Sequence, residues 1–384
     1  MRGIGLELPR ATVGMSRWRR FRAAVDWPLI VTILALCTIG LLNLYSATRG
    51  VKHHAKFDTQ VQWMIVGAVG FVVCTVVDYR SLVRLAWFGL GLAVLVLLIA
   101  RIFGKPPTGD IAHGITYRWL NIGGMGIQPS ELVKLMTILV LARMFAHGEA
   151  THYTPRMLAL RGLALVIPIV LIAIQPDLGT NLVFVVILLC TLLVTGVRGR
   201  QMAVLLALGV VATVAVVQLG VLQKYQVHRL TSFVTQTADV RGATYNLDQS
   251  KTTIGSGGVL GKGIFKGPQT NLAYVPEQHT DFIFTAVGEQ VGLVGSAALL
   301  ALFAVIIWRI WRTANLAKDH AGTLICAGVL AMLVFQIFEN VGMTMGIMPV
   351  TGIPLPFVSY GGSSTISYFA ALGLVLNVHM RRFT

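Results

Sequence analysis

Long apolar runs separated by short polar stretches dominate the hydropathy pattern of the chain. A transmembrane α-helix needs about 20 mostly apolar residues. Ten runs are close to this length, so the pattern predicts an all-α polytopic membrane protein with ten transmembrane helices. The predicted spans cover residues 28–47, 60–77, 87–103, 129–146, 157–174, 180–197, 201–222, 281–308, 321–348 and 359–379.

The distribution of Lys and Arg between the spans predicts their orientation. If both termini are cytoplasmic, the inner segments hold 18 Lys and Arg and the outer segments hold 12. Six of those 12 lie in one long loop, which the positive-inside rule discounts. We therefore predict a basic cytoplasmic N-terminal segment (1–27), a single membrane domain (28–380) and a cytoplasmic tail (381–384). The first apolar run is too long for a cleaved signal peptide.

The composition narrows the class of protein. Hydrophobic residues make up 55% of the 384 residues and charged residues 12%, compared with about 25% charged residues in a soluble domain. This excludes a water-soluble globular enzyme, a disordered protein and a disulfide-stabilised secreted module. The basic inner loops explain the formal net charge of +16, so nucleic acid is not an expected partner. The four cysteines lie in apolar runs and are expected to pack as small hydrophobic residues.

Three predicted outer segments differ from ordinary connections. They cover residues 104–128, 223–280 and 349–362, and the second joins the seventh and eighth spans. Long loops of this kind usually carry function, whereas the predicted inner loops are short and basic. Any chemistry is therefore expected on the extracytoplasmic side, away from ATP, which excludes kinases and ATPases.

Ionisable residues at the edge of a membrane span are costly, and they indicate function. Gln128, Pro129 and Ser130 are followed by Glu131 and Lys134. Pro129 suits the first helical position, which places Glu131 in the first turn and Lys134 on the same helix face. The pair is either a self-neutralising ion pair that holds two helices together or the polar floor of an outward cavity.

Two further carboxylates lie where outer segments meet spans. Asp177 follows a proline, and capping of the next helix is its favoured interpretation. Asp281 precedes three bulky apolar residues, and partial desolvation there would favour its action as a general base. A helix cap is the alternative role for Asp281. Glu289 lies eight residues later on the same predicted helix face, and His279 is interpreted as a nearby hydrogen-bonding residue.

Residues 255–263 form a glycine-rich segment that fits neither common phosphate-binding pattern. Ser256 stands where the first glycine of a Walker A motif belongs, and Leu260 where the third glycine of GxGxxG belongs. Two interpretations stay open. Either the backbone approaches a pyrophosphate or sugar, helped by the charges of Lys251 and Lys262, or the segment is a mobile loop at the membrane surface.

A second irregular segment covers residues 352–364 and includes Ser359. It is apolar and rich in Pro and Gly, so we predict a cavity-lining turn at membrane depth before the last span. The sequence contains no HExxH, CxxC or His/Cys cluster, and a transition-metal site is therefore not expected.

Seven motifs occur in order along the chain: RWLN at 118–121, QPSE at 128–131, QPDLGT at 175–180, QSK at 249–251, IGSGG at 254–258, PEQHTDF at 276–282 and PLPFVSYGGS at 354–363. Together they resemble the SEDS family (shape, elongation, division and sporulation), which includes the glycosyltransferases RodA and FtsW. The resemblance spans nearly the whole chain, and residues 349–354 are more similar to the elongation branch, RodA. The chain departs from the family pattern after Phe233, where a proline is common, and at Asp248, where an uncharged residue is usual.

The resemblance implies an activity and a set of site residues. The activity is polymerisation of lipid II, a disaccharide-pentapeptide on undecaprenyl pyrophosphate, into β-1,4 glycan strands on the outer face of the bacterial cytoplasmic membrane. Asp281 is the implied catalytic residue and general base. Substrate binding is expected from Arg118, Glu131, Lys134, Gln128, Ser130, Lys251, Lys262 and Ser359, and support from Asp177, Glu289 and His279.

The resemblance also implies a cofactor and partners. A divalent metal, Mg²⁺ or Mn²⁺, is expected, with no indication of its ligands. The expected partners are a class B penicillin-binding protein, which is a single-span transpeptidase, and the elongation machinery of the cell. Two other functions stay open, a lipid II flippase or transporter and a non-catalytic scaffold for a transpeptidase. Many transporters have inverted halves with broken helices in matching positions, and the sequence shows no such symmetry.

Overall fold

The computed structural model describes residues 24–49, 54–104, 119–122, 125–146, 155–175, 177–218 and 243–382. Helices occupy all ten predicted positions in these ranges, and most of their ends lie within four residues of the prediction. The second begins at His54, six residues earlier than predicted, and the eighth ends at Asn315, seven residues later.

The long helices are α1 (Trp27–Arg49), α2 (His54–Val76), α4 (Ala86–Phe103), α5 (Pro129–Phe145), α6 (Pro155–Ile174), α7 (Leu178–Val194), α8 (Gly199–Gln218), α11 (Ile283–Asn315), α12 (His320–Met345) and α13 (Gly362–Arg381). Three shorter helices are α3 (Tyr79–Arg84), α9 (Ala243–Ser256) and α10 (Pro268–Asn271). A small antiparallel hairpin precedes α5 and consists of β1 (Leu120–Ile122) and β2 (Met125–Ile127).

Five of the helices, α1, α2, α4, α11 and α12, are long and apolar enough to cross a membrane. Large apolar side chains lie exposed along their outer faces, for example Val69 on α2 (60% exposed) and Phe88 on α4 (74% exposed). Continuous apolar faces of this kind are unfavourable in water and match the interior of a bilayer. The chain is therefore a helical, polytopic membrane protein.

Small residues allow the helices to pack closely. Helix α12 contacts α5, α7 and α11, and α13 runs along α2. A Cβ added at Gly373 of α13 would lie 2.6 Å from the carbonyl oxygen of Phe71, and one added at Gly328 of α12 would lie 2.8 Å from Cγ2 of Ile138. Close approach matters because van der Waals packing, rather than the hydrophobic effect, holds helices together in lipid.

The eighth predicted span is broken rather than continuous. Gly292 has φ 63° and ψ −162°, which glycine adopts without strain, so α11 consists of two helical segments that meet there. The N–H of Leu293 donates to the carbonyl oxygen of Gly258 at 3.0 Å, and the N–H of Lys262 donates to that of Glu289 at 3.0 Å. The glycine-rich loop thus satisfies backbone groups that the break leaves without helical partners.

The described part of the long loop is folded. Helix α9 packs against α11 and α12. The hydroxyl of Ser250 on α9 lies 2.7 Å from that of Thr285 and donates to the carbonyl oxygen of Thr344 at 2.8 Å. A Cβ added at Gly261 would overlap the carbonyl oxygen of Gln290, so the absence of a side chain lets the loop lie directly on α11. The glycine-rich segment is therefore packed against α11 and does not extend away from the helices.

Candidate active site

Most residues singled out in the sequence gather at one end of the bundle. This end, called the loop end, is where α5, α7 and α13 begin, and it carries α9 and α10. The opposite end, called the basic end, is where α11 ends and α12 begins, and it contains Arg309, Arg312 and Arg382. Arg118 lies outside the described residues.

Glu131 and Lys134 form an ion pair within the first turns of α5. Pro129 occupies the first helical turn, and Lys134 Nζ donates to Glu131 Oε1 at 2.7 Å. Their side chains are only 5% and 2% exposed. The hydroxyl of Ser367 on α13 donates to the carbonyl oxygen of Glu131 at 3.2 Å, so this contact, and not the ion pair, joins two helices. The second carboxylate oxygen of Glu131, Oε2, has no hydrogen-bond partner among the described residues.

Gln128 links the starts of three helices. Its backbone N–H donates to the hydroxyl of Ser363 on α13 at 2.7 Å, and its side-chain amide donates to Asp177 at 3.2 Å. The other carboxylate oxygen of Asp177 accepts the N–H of Thr180 at 3.0 Å, so Asp177 caps α7, as its favoured interpretation predicts. Ser130 is buried beside Gln128, and its hydroxyl has no hydrogen-bond partner in the described ranges.

Asp281 lies in a turn two residues before α11 and is half-buried. The side-chain amide of Asn340 on α12 donates to the carbonyl oxygen of Asp281 at 2.8 Å and to that of Ile353 at 2.7 Å. Asn340 thereby joins the turn that carries Asp281 to the irregular segment before α13. Because Asp281 is outside the helix, the prediction that Glu289 shares a helix face with it is wrong.

His279 lies close to a lysine that the sequence analysis does not single out. Lys56 Nζ, near the start of α2, is 2.6 Å from His279 Nε2, and Glu277 Oε2 is 3.6 Å from the same nitrogen. Because an ammonium only donates, Nε2 accepts and the ring proton is assigned to Nδ1. The N–H of Tyr360 donates to the carbonyl oxygen of His279 at 2.9 Å. Lys56 is missed because the predicted second span begins only after it.

Glu289 holds the long loop against α11. Its carboxylate is fully buried and accepts the backbone N–H of Gln269 (3.1 Å) and both the N–H and the hydroxyl of Thr270 (2.8 and 2.6 Å). Lys262 Nζ is 3.1 Å from Glu289 Oε1. The positive charge of Lys262 is thus compensated within the protein. The side chain of Lys251 on α9 packs directly against Gly346, where an added Cβ would overlap it.

The irregular segment before α13 is largely buried within the protein, from Leu355 to Ser359. Phe357 is in the left-handed region (φ 64°). Its backbone lies against Gly40 of α1, where an added Cβ would overlap the carbonyl oxygen of Phe357. The N–H of Leu355 donates to the hydroxyl of Ser359 at 2.8 Å. Ser359 therefore closes the turn on itself.

A buried polar layer on α12 also escapes the sequence analysis. Gln336, Glu339 and Asn340 are spaced on one helix face, and all three are fully buried. The hydroxyl of Thr351 donates to Glu339 Oε1 at 2.8 Å, whereas neither side-chain polar atom of Gln336 has a hydrogen-bond partner in the part of the chain that is described. Buried polar atoms of this kind usually contact ordered water or a ligand. The signal available in the sequence is polar residues at i, i+3 and i+4 within an apolar helix.

The comparisons with known proteins decide the family. Residues 27–383 match the family model for FtsW, RodA and SpoVE, described as a cell cycle protein. The chain belongs to the FtsW/RodA/SpoVE family. A relative from Escherichia coli K12, named peptidoglycan glycosyltransferase MrdB, is 34% identical over 362 residues, which cover 93% of this chain and 94% of the relative.

Two solved structures have the same fold as this chain. A chain from work on structural coordination of polymerization and crosslinking by a peptidoglycan synthase complex has a TM-score of 0.79 and 29% identity, and the match covers 94% of this chain and 99% of that one. Rod shape determining protein RodA from Thermus thermophilus has a TM-score of 0.69 and 27% identity, with 94% and 98% coverage. The resemblance inferred from the motifs is confirmed.

Proposed function

We propose that this chain is a peptidoglycan glycosyltransferase that polymerises lipid II into β-1,4 glycan strands during cell elongation. The observation that carries the proposal is the near full-length match to relatives named peptidoglycan glycosyltransferase, MrdB of Escherichia coli and RodA of Treponema pallidum. The loop end supports it, because a half-buried carboxylate, that of Asp281, lies in the same segment as the Lys56–His279 contact.

The proposed reaction is a displacement at an anomeric carbon with inversion. The 4-hydroxyl oxygen of one sugar forms a bond to the anomeric carbon of another, and the bond from that carbon to the pyrophosphate oxygen breaks. The undecaprenyl pyrophosphate leaves with the electron pair. We assign Asp281 as the general base that takes up the hydroxyl proton, with Asn340 fixing the backbone of Asp281.

The leaving pyrophosphate needs positive charge close to its oxygens. Lys56 is half-buried beside His279, two residues from Asp281, and we assign it to the pyrophosphate together with Arg118. An arginine suits this role because its guanidinium can bind two phosphate oxygens at once. Lys134 is largely neutralised by Glu131, and we assign this pair to the polar floor of the site.

A divalent cation is part of the proposal. The described residues include no group of three or more His, Cys, Asp or Glu side chains placed to hold a metal. Mg²⁺ is commonly held by one or two carboxylates together with substrate phosphates, so such a group is not required. The unbonded oxygen of Glu131 is a ligand of suitable chemistry. When bound, the cation would supply positive charge to the leaving group.

We further propose that all ten long helices cross the cytoplasmic membrane, with both termini in the cytoplasm and the loop end outside. A lipid-linked substrate then reaches the site sideways from the bilayer. The solved relative with the TM-score of 0.79 comes from a complex that coordinates polymerization and crosslinking. By analogy, we propose a class B penicillin-binding protein as the partner of this chain.

The decisive experiment is a gel assay of purified protein with labelled lipid II and Mg²⁺ or Mn²⁺, with and without the matching transpeptidase. Asp281→Asn is the test variant. Asp248→Asn is the matched control, because Asp248 is an exposed aspartate on α9 of the same loop. We expect a glycan ladder from the wild type and from Asp248→Asn, none from Asp281→Asn, and none when EDTA is added.

Each other result points to a different function. A ladder from Asp281→Asn would show that another group acts as the base. The absence of a ladder from folded wild type, even with the partner, would favour a flippase or a scaffold. A vesicle assay of lipid II translocation would then separate these two, because a scaffold moves no lipid.

A further inference from the structure

An apolar stripe runs along the outer face of α11, and it begins at the break. Every residue from Ile283 to Gln290, before the break, is buried within the protein. After Gly292, every exposed residue from Leu293 to Trp311 is apolar. The part of α11 that can contact lipid therefore starts directly at the break, where the glycine-rich loop lies.

The tip of the glycine-rich loop, residues 258–261, continues this stripe. Val259 and Leu260 are adjacent apolar residues and are 62% and 80% exposed, and Leu293 beside them on α11 is 67% exposed. The N–H of Val294 donates to the carbonyl oxygen of Val259 at 3.1 Å. The two side chains at the tip thus extend the apolar surface of α11 from its first exposed turn onto the loop.

The helical rise of α11 gives the depth of the tip in a bilayer. Trp308 and Trp311 are 51% and 55% exposed at the other end of the stripe, and tryptophan is enriched where a helix meets the headgroup region. From Leu293 to these two rings the helix rises about 22–27 Å, and a tilt shortens this distance across the membrane. The hydrocarbon core is about 30 Å thick. Leu293 and the adjoining tip therefore lie within the hydrocarbon region, close to its second boundary.

The backbone of the tip is suited to this environment. Backbone polar groups in lipid need partners within the protein. The carbonyl oxygens of Gly258 and Val259 both accept hydrogen bonds from α11, at 3.0 and 3.1 Å, and the N–H of Gly261 donates to the carbonyl oxygen of Gly257 at 2.9 Å. These bonds remove much of the cost of placing a non-helical turn in lipid.

Charged side chains begin only after the tip. Lys262 follows it directly, and its Nζ lies 3.1 Å from the buried carboxylate of Glu289, so its charge is compensated within the protein. Lys266 is exposed four residues later. A lysine at this position can lay its stem along apolar surface and extend its ammonium to the headgroup phosphates.

We infer that the tip of the glycine-rich loop inserts into the bilayer, so that Val259 and Leu260 contact the acyl chains of the leaflet at the loop end. The segment 223–280 then includes a re-entrant turn rather than lying wholly in water. The inference depends on α11 as a membrane span, and it depends neither on the proposed reaction nor on which side of the membrane the loop end faces. Contact with lipid would hold the loop against the break in α11.

The test is nitroxide labelling of the full-length protein in vesicles of phosphatidylethanolamine and phosphatidylglycerol, with the four native cysteines replaced by alanine. Single cysteines replace Leu260 at the tip, Leu293 as the lipid-facing reference and Asp248 as the water-facing reference. Asp248 is the matched control because it is exposed on α9, in the same loop. Electron paramagnetic resonance then measures how often each label collides with oxygen, which concentrates in lipid, and with a water-soluble nickel chelate.

We expect the label at Leu260 to collide more with oxygen than with the chelate, in the same ratio as the label at Leu293. The label at Asp248 should show the reverse preference. The melting temperature of each labelled variant is compared with that of the unlabelled protein. If Leu260→Cys does not fold, Val259→Cys places the label at the neighbouring exposed position and carries the same expectation.

Three outcomes would overturn the inference. A ratio at Leu260 that matches the ratio at Asp248 would show that the tip lies in water. Rare collisions with both reagents would show that protein, such as a second copy of this chain, covers the tip. A preference for the chelate at Leu293 would show that the break itself lies outside the hydrocarbon region.

Discussion

Glu131 carries a carboxylate within the membrane domain, and the side chain that stabilises it is Lys134, 2.7 Å away on the same helix. A buried ion pair of this kind contributes little net stability, whereas removal of one partner leaves an uncompensated charge. We expect Lys134→Met to lower the free energy of unfolding by about 3–5 kcal/mol. The measurement is the melting temperature in detergent together with glycan synthesis.

The double substitution Glu131→Gln with Lys134→Met is the control for this prediction. It removes both charges, so stability should return towards that of the wild type while polymerisation stays low. Full activity in the double variant would show that the pair is structural only.

Asn340 is the residue that fixes the backbone beneath Asp281. We expect Asn340→Leu to lower kcat for lipid II on the order of 100-fold, because a displacement of about 1 Å in a reacting group has an effect of that size. KM should change little, since Asn340 is fully buried in α12. The measurement is steady-state glycan synthesis, with Asn340→Ser retaining more activity because it keeps a donor.

Asn315→Leu is the matched control for Asn340→Leu. Asn315 is exposed at the end of α11, and its side-chain amide donates to the nearby carbonyl oxygen of Trp311 at 2.8 Å. If Asn340→Leu raised KM as strongly as it lowered kcat, or behaved like Asn315→Leu, the positioning role would be wrong.

At the scale of elements, the contact between the glycine-rich loop and α11 makes a sharp prediction. Gly258 and Gly261 both have positive φ, 58° and 79°. A Cβ at Gly258 would meet nothing within 4 Å, whereas one at Gly261 would overlap the backbone of Gln290. Both alanine substitutions should cost about 1–2 kcal/mol through the backbone conformation. Gly261→Ala should in addition detach the loop, with loss of polymerisation and rapid proteolysis between α9 and α11.

Equal melting temperatures and equal protease sensitivity of Gly258→Ala and Gly261→Ala would contradict this account. Both variants strain the backbone at a positive φ, but only Gly261→Ala also brings a Cβ into collision with α11. The difference between the two variants therefore measures the effect of that collision.

The start of α12 depends on a charge that is sensitive to pH. Burial opposes ionisation of Asp319, but hydrogen bonds from the Gly322 N–H, the Tyr79 hydroxyl and the Arg80 guanidinium outweigh it, so the pKa of Asp319 lies below its usual value. Burial and the bond to Asp319 raise the pKa of Tyr79 to about 12. The two groups connect α3 to α12.

The sign of the pH dependence follows from these shifts. A lowered pKa in the folded state gives stability that is present above the unfolded value, about 4, and is lost as the pH falls through the folded value. Melting temperatures between pH 7 and pH 3 should therefore fall less steeply for Asp319→Asn than for the wild type. The exposed Asp248→Asn should keep the wild-type slope, and an unchanged slope in Asp319→Asn would refute the prediction.

The elements were largely predictable because their signals are local. Ten apolar runs of about 20 residues predict ten helices, and helices lie at all ten positions. The break at Gly292 has no comparable signal in the sequence. The chain contains 40 glycines, and the contacts between the glycine-rich loop and α11 that accompany the break cannot be read from the sequence. The extension of α11 to Asn315 was missed for a related reason, because polar residues at a helix end resemble a loop.

For the whole molecule, the proposed topology predicts which residues are accessible from each side of the membrane. Tyr274 is exposed in the long loop, and Lys318 is exposed between α11 and α12. In a background with the four native cysteines replaced by alanine, Tyr274→Cys should react with a membrane-impermeant maleimide in intact spheroplasts. Lys318→Cys should react only after permeabilisation, and the reverse pattern would invert the topology.

The candidate site was only partly predictable from the sequence. Glu131, Asp177 and Asp281 stood out because carboxylates at span edges are rare. Lys56 and Asn340 did not, because their importance depends on contacts with residues more than 50 positions away, at His279 and Asp281. The polar layer around Gln336 was also missed, because a hydropathy average over a long apolar helix conceals single polar side chains.

The break in α11 has a consequence for how the protein is made. The loop that satisfies it is synthesised before α11 and cannot dock until both have left the ribosome and reached their final sides of the bilayer. In the proposed topology the backbone groups beside Gly292 would until then lack partners in lipid, at a cost of several kcal/mol each. We therefore expect docking of the loop to be a late step of biogenesis, and damage to the loop to appear as degradation of the newly inserted protein.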